Sequence, residues 1–179
     1  KDIFDKYNVR YPNKNWTIND LLTTSQKLTH APNMFGISFE EEPLFYLPYL
    51  NYFGVTDLSE NTTQMQNGLN FYANLRNKYH VAPKREEIAS ATMAQLFLQG
   101  KLGMHISGRW LVPKYRQEAK FRWDIVRFPD KNGIPSAPVD ASGWAISKSS
   151  KHKKEAIKLV QYLSSKESSD KFTQSGLIV

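Results

Sequence analysis

The chain has 179 residues, enough for one sizeable domain with its own core. It contains no cysteine, which excludes disulfides, thiolate metal sites and a cysteine nucleophile. The net charge is +7, but the lysines and arginines are spread along the chain. The densest run, Lys148 to Lys158, lacks interleaved aromatics, so nucleic acid is not an expected partner. No stretch approaches the ~18 apolar residues of a membrane span. Lys1-Asp2-Ile3-Phe4-Asp5 reads as folded protein rather than as a signal peptide.

The elements follow in chain order. Asp2 to Tyr7 suits a short helix, broken by Tyr11-Pro12. Thr17 reads as an N-cap with Asp20 three residues on, opening a helix whose stripe is Ile18, Leu21, Leu22 and Leu28. Phe35 to Phe39 alternates large and small like a buried strand. Pro43 fits the first turn of a helix, and Pro48 predicts a kink or restart before Gly54 ends it. Asn61 to Tyr79 reads as a long helix and Thr92 to Leu98 as a shorter one, closed by Gly100. Leu102 to Ile106 is a strand, and Arg109 to Ala119 a helix interrupted near Pro113. Trp123 to Phe128 and Ser142 to Ser147 are expected strands around a loop from Asp130 to Pro138. Lys151 to Leu163 is an amphipathic helix, and Ser169 to Gln174 another. Strands alternating with helices predict a layered α/β architecture.

No catalytic set emerges from these residues. Glu40-Glu41-Glu42 has only Asp140 as a candidate carboxylate partner. His30, His80, His105 and His152 stand apart, without metal-ligand spacing, and no metal or cofactor is expected. Ser107 lies outside a G-x-S-x-G elbow, and Gly100-x-x-Gly103 lacks the Lys-Ser/Thr tail of a phosphate loop. Glu42-Pro43, Ser107 to Trp110 and Asp140 to Trp144 put aromatic and polar groups at strand ends and loops. That composition describes a binding cleft better than an active site. A flat, partly apolar ligand such as a sugar ring suits Trp110, where a helix starting at Gly108 would also offer free N–H groups.

Four segments in order carry a family resemblance. "YPNKNWTINDLLTTSQKLT" resembles a Pro–Trp–Thr helix ending in Lys-Leu-Thr, and "FLQGKLGMHISGRW" an F-x-x-G-K-x-A-M-x-x-x-G-x-W segment, with Gly103 in place of Ala. "WDIVRFPDKNG" resembles a strand running into Pro. "SGWAISKSSKHKKEAIKLVQYLSSKESSDKFTQSG" resembles a Gly-rich strand, an Ile-Ser-Lys turn and a closing helix pair. Together they resemble the C-terminal part of extracytoplasmic solute-binding proteins of ABC importers, in the sugar-binding, maltose-binding-protein-like class.

The resemblance implies the α/β C-terminal lobe of a two-lobe periplasmic-binding-protein-like fold, helix-rich with a small sheet. Residues 1–139 would form that lobe, and 140–179 the hinge return strand and closing helices associated with the other lobe. It implies a fragment lacking the N-terminal lobe, from an extracytoplasmic, lipid-anchored parent. The implied function is non-enzymatic capture of a sugar or oligosaccharide, with the permease subunits of the importer as partners. The ligand-binding residues would be Trp110, Trp144, Glu42, Pro43, Tyr46, Arg109, Asp140 and Ser142, with Phe45 a candidate beside Tyr46. The alternative is a carbohydrate-active hydrolase using Glu42 and Asp140.

Overall fold

The computed structural model describes residues 1–59, 62–131, 133, 136–138 and 142–175. The chain divides into two compact units, Lys1–Ser107 with Glu118–Pro138, and Gly108–Gln117 with Val139–Val179.

The first unit begins with α1 (Asp2–Lys6) and α2 (Ile18–Leu28). Thr17 caps α2 in a reciprocal box: its Oγ accepts from Asp20 N at 3.1 Å, and Asp20 accepts from Thr17 N at 2.8 Å. Ile18, Leu21, Ser25 and Leu28 recur at helical spacing and are buried on one face. That face covers β1 (Phe35–Ile37). Gly36 is where helix and strand meet most closely. A Cβ there would stand 1.9 Å from the Ser25 carbonyl oxygen, so only hydrogen fits.

The chain continues through α3 (Pro43–Tyr52), α4 (Thr63–Asn77), α5 (Arg85–Ile88) and α6 (Met93–Leu98) to β2 (Leu102–Met104). β1 and β2 run parallel, with Phe35 opposite Leu102 and Ile37 opposite Met104. Leu21, Leu28, Ile37, Tyr49, Tyr72 and Leu75 belong to the main core, and Phe35, Leu102, Met93 and Leu96 form a second cluster. α3 does not break at Pro48. The helix runs through the proline, which is buried, so the burial of its face outweighs one missing backbone donor.

The described residues between 118 and 138 are held to the rest of the unit by side chains. Arg122 pairs with Asp2 at 2.6 Å and Asp5 at 2.7 Å, and the Trp16 indole donates to the Arg127 carbonyl at 2.9 Å. Phe128 meets the Tyr49 ring edge-on at 4.8 Å, and Asn51 donates to the Ser136 carbonyl. The strand expected at Trp123 to Phe128 is not formed. Ile125 is 65% exposed, and its segment has no ladder partner among the described residues. Alternation gave the residues of a strand, but a strand needs a neighbour to receive its backbone groups.

The second unit contains a 3₁₀ turn (Arg109–Leu111) running into α7 (Val112–Glu118), whose last residue falls in the first unit. Val112 and Tyr115 are its buried residues. α8 (Lys153–Leu163) packs with α9 (Lys166–Gln174). The Ser165 hydroxyl caps α9 by accepting from Ser168 N, and Lys166–Asp170 and Glu167–Lys171 pairs lie along it. α8 is amphipathic yet buries none of its residues, and Ile157 and Leu159 are exposed. The expected strand at Ser142 to Ser147 is also absent. The segment has no regular secondary structure, Ser142 to Ala145 are exposed, and no sheet neighbour receives it among the described residues.

Candidate functional site

Both strands of the parallel sheet end on the same side, the side where open α/β sheets carry ligands. From β1 the chain continues through Ser38, Phe39 and three glutamates into α3. From β2 it continues through His105, Ile106 and Ser107. The two exits are tied where Ile106 N donates to the buried Ser38 hydroxyl at 2.9 Å.

The glutamate loop stands on a stack of rings. Phe39 lies flat on Tyr72 at 4.3 Å, and the Arg76 guanidinium covers Phe39 at 3.8 Å. The Tyr72 hydroxyl donates to the Glu40 carbonyl at 2.6 Å and accepts from Glu40 N at 3.0 Å. Arg76 Nε donates to the Pro83 carbonyl at 2.9 Å, and another of its nitrogens meets the Glu41 carboxylate at 3.1 Å. Loss of solvent raises the Glu40 carboxyl, the neighbouring Glu42 raises it further, and Arg76 opposes both.

Glu42 and Pro43 follow, both exposed. Glu42 precedes the first helical residue, and Pro43 fills the position where a missing N–H costs nothing. Tyr46, one turn on, is half-buried with its ring 6.1 Å from that of Tyr72. The start of α3 thus carries Glu42, Pro43 and Tyr46 in sequence, with Tyr46 reaching the ring stack through Tyr72. Phe39, Tyr72 and Arg76, which shape this loop, are absent from the sequence-derived candidates. The available signal was Arg76 one helical turn after Tyr72, a cation beside an apolar stripe.

In the second unit, Arg109 and Trp110 open the 3₁₀ turn after Gly108, and both are exposed, Trp110 by 44%. The Trp110 ring folds back over the Gly108 α-carbon. Ser142 and Trp144 lie on the irregular segment, exposed, with Trp144 at 61%. Asp140 lies outside the described residues. Among the described residues no group of three His, Asp or Glu side chains gathers in a form that could hold a metal ion.

The sequence model of one family, described as bacterial extracellular solute-binding protein, matches residues 1–169. A search among curated protein sequences finds no match. Among solved structures, the chain is similar to an ABC substrate-binding protein from Listeria monocytogenes in complex with cycloalternan, at TM-score 0.79 and 24% identity. That match covers 99% of this chain and 48% of the other. It is similar to UgpB from Mycobacterium tuberculosis in complex with glycerophosphocholine, at TM-score 0.78 and 14% identity over 99% and 47% of the two chains. It is also similar to maltose-bound MalE3 from T. maritima, at TM-score 0.67 and 21% identity over 98% and 49%. The chain thus spans about half the length of these structures. At these identities the likeness establishes the fold: helix-rich with a small sheet, within the two-lobe periplasmic-binding architecture.

Proposed function

This chain belongs to the bacterial extracellular solute-binding protein family, and on that premise we propose that it works as the substrate-binding component of an ABC importer. It captures a sugar or oligosaccharide outside the cytoplasm and delivers it, unchanged, to membrane permease subunits. In this reading residues 1–139 form the C-terminal lobe. Residues 140–179 supply the return segment and closing helices that meet the other lobe, in a parent held at the membrane by a lipid anchor. The exposed apolar side chains of α8 are consistent with a helix that another part of the protein covers.

The observation that carries the reading is Trp110. A large indole left 44% exposed, at the start of the 3₁₀ turn, is poorly explained by core packing. It is well explained as a platform for the apolar face of a sugar ring. Arg109, Ser142 and Trp144 accompany it in the same unit, with Asp140 assigned from the sequence resemblance alone. Glu42, Pro43 and Tyr46 form a separate candidate set within the first unit. Sugar as the solute class is supported by the carbohydrate ligands of two of the similar structures. Capture proceeds by closure of the two lobes on a ligand that binds the closed state better than the open one.

The test is calorimetry on the protein at its native length, titrated with maltose, maltotriose and cycloalternan. Trp110→Ala is expected to cost about 1–4 kcal/mol of affinity, the range of a stacking hot spot, with an unchanged unfolding midpoint. Wild-type affinity in that variant overturns the assignment of Trp110, and turnover of a glycoside overturns the transport reading.

A further inference from the structure

Gly108 has an ordinary extended backbone, φ −113° and ψ 177°, which any residue adopts without strain. Conformational freedom therefore does not explain a glycine here. The surroundings do. A Cβ built on Gly108 would stand 1.9 Å from Trp110 Cζ3, 2.3 Å from Cη2 and 2.4 Å from Cε3. Those are three consecutive carbons of the six-membered ring. The nearest is the middle one and the outer two are only slightly farther, whereas a point beyond the edge in the ring plane would be much farther from both, so the point lies over the face of the ring at Cζ3. One face of Trp110 is closed by the bare α-carbon two residues earlier in the chain. The three atoms nearest to the missing methyl all belong to this one ring, so the closest obstacle to a side chain here is Trp110.

We propose that Gly108 is a positioning residue of the ligand site, whose missing side chain lets the Trp110 indole lie flat on the backbone and holds it in one orientation as a platform. The proposal rests on the reading of Trp110 as a ligand contact and adds how its ring is fixed. An exposed tryptophan that samples several rotamers must be ordered when a sugar lands on it, and that ordering subtracts from affinity. A ring already seated against Gly108 has lost that freedom in advance. Any side chain at residue 108 pushes the ring off its seat, and the ring yields because it is the end of a movable side chain.

Three measurements on the native-length protein test this, two of them without a ligand. A proton over the face of an indole is shifted upfield, so a Gly108 Hα should resonate upfield of its usual position and return in Trp110→Leu. With 5-fluorotryptophan labelling, Gly108→Ala should move or broaden the Trp110 fluorine signal, identified by its loss in Trp110→Phe. The signals of Trp16, Trp123 and Trp144 should stay in place. With maltotriose as probe, Gly108→Ala should weaken binding about two- to tenfold in the Trp110 background and not at all in the Trp110→Leu background. An unshifted Gly108 Hα, an unmoved Trp110 fluorine signal, or an equal loss in both backgrounds overturns the proposal. If the spectra behave as expected but Trp110→Leu binds maltose, maltotriose and cycloalternan as wild type does, the seat is real and the assignment of Trp110 to the ligand is what fails.

Discussion

Arg76 shows how one side chain does several jobs at once. Its guanidinium covers Phe39, its Nε–H satisfies the Pro83 carbonyl and its outer nitrogen neutralises Glu41, while the side chain stays only 15% exposed. Arg76→Ala strips a ring face and orphans a carbonyl, so a loss of about 1–3 kcal/mol in urea unfolding is expected. Arg76→Lys should recover little of it. An ammonium can meet Glu41 but cannot also lie flat on Phe39 and point a fork nitrogen at Pro83. Recovery of wild-type stability by lysine would show that charge alone is what the site uses. Trp110 and Trp144 were legible as site candidates because a bulky ring beside Gly in a polar context stands out on a one-dimensional reading. Arg76, Tyr72 and Phe39 were not, because their partners lie 35, 32 and 37 residues away in the chain.

At the scale of elements, the tightest joint is between α2 and β1. Gly36→Ala drives a methyl against the Ser25 backbone, which cannot rotate aside as a side chain can. The expected outcome is a loss of about 3 kcal/mol or more, seen as a lowered midpoint in thermal or urea unfolding. A neutral Gly36→Ala would mean that α2 slides freely on the sheet. Element ends were largely readable from local chemistry. Thr17 and Thr92 accept from the backbone three residues on, Pro43 opens α3, and Gly54 and Gly100 take positive φ at 92° and 71°. What failed was pairing. Trp123 to Phe128 and Ser142 to Ser147 have the alternation of strands, but alternation says nothing about whether another chain segment runs alongside. The single turn of α5 carries no periodic signal, because four residues are too few to show one.

For the whole molecule, one imidazole sets an acid response of the fold. Burial pushes the His105 imidazole down to about 4, against roughly 6.5 in an unfolded chain. Between those values the unfolded chain binds a proton that the folded one refuses. Stability from this group is therefore complete above about pH 6.5 and drains away as pH falls toward 4. A loss of about 2 kcal/mol across that window is expected from urea midpoints, and His105→Gln should flatten the slope. An unchanged slope would mean that other groups govern the acid response. The division into units has a different consequence, one for synthesis. The chain passes between units at 107/108, 117/118 and 138/139, so neither unit is a continuous stretch of gene. Asp2 and Asp5 leave the ribosome 120 and 117 residues ahead of Arg122, the cation that pins them. At about 5–20 residues per second, α1 waits roughly 6–24 s for its partner. A stop codon placed before residue 122 leaves that helix unpinned. One placed after Pro138 completes the first unit but strands Gly108–Gln117, with Val112 and Tyr115, apart from the residues that normally complete their unit. To excise the first unit cleanly, a gene would need a short splice from Ser107 to Glu118 as well as a new end.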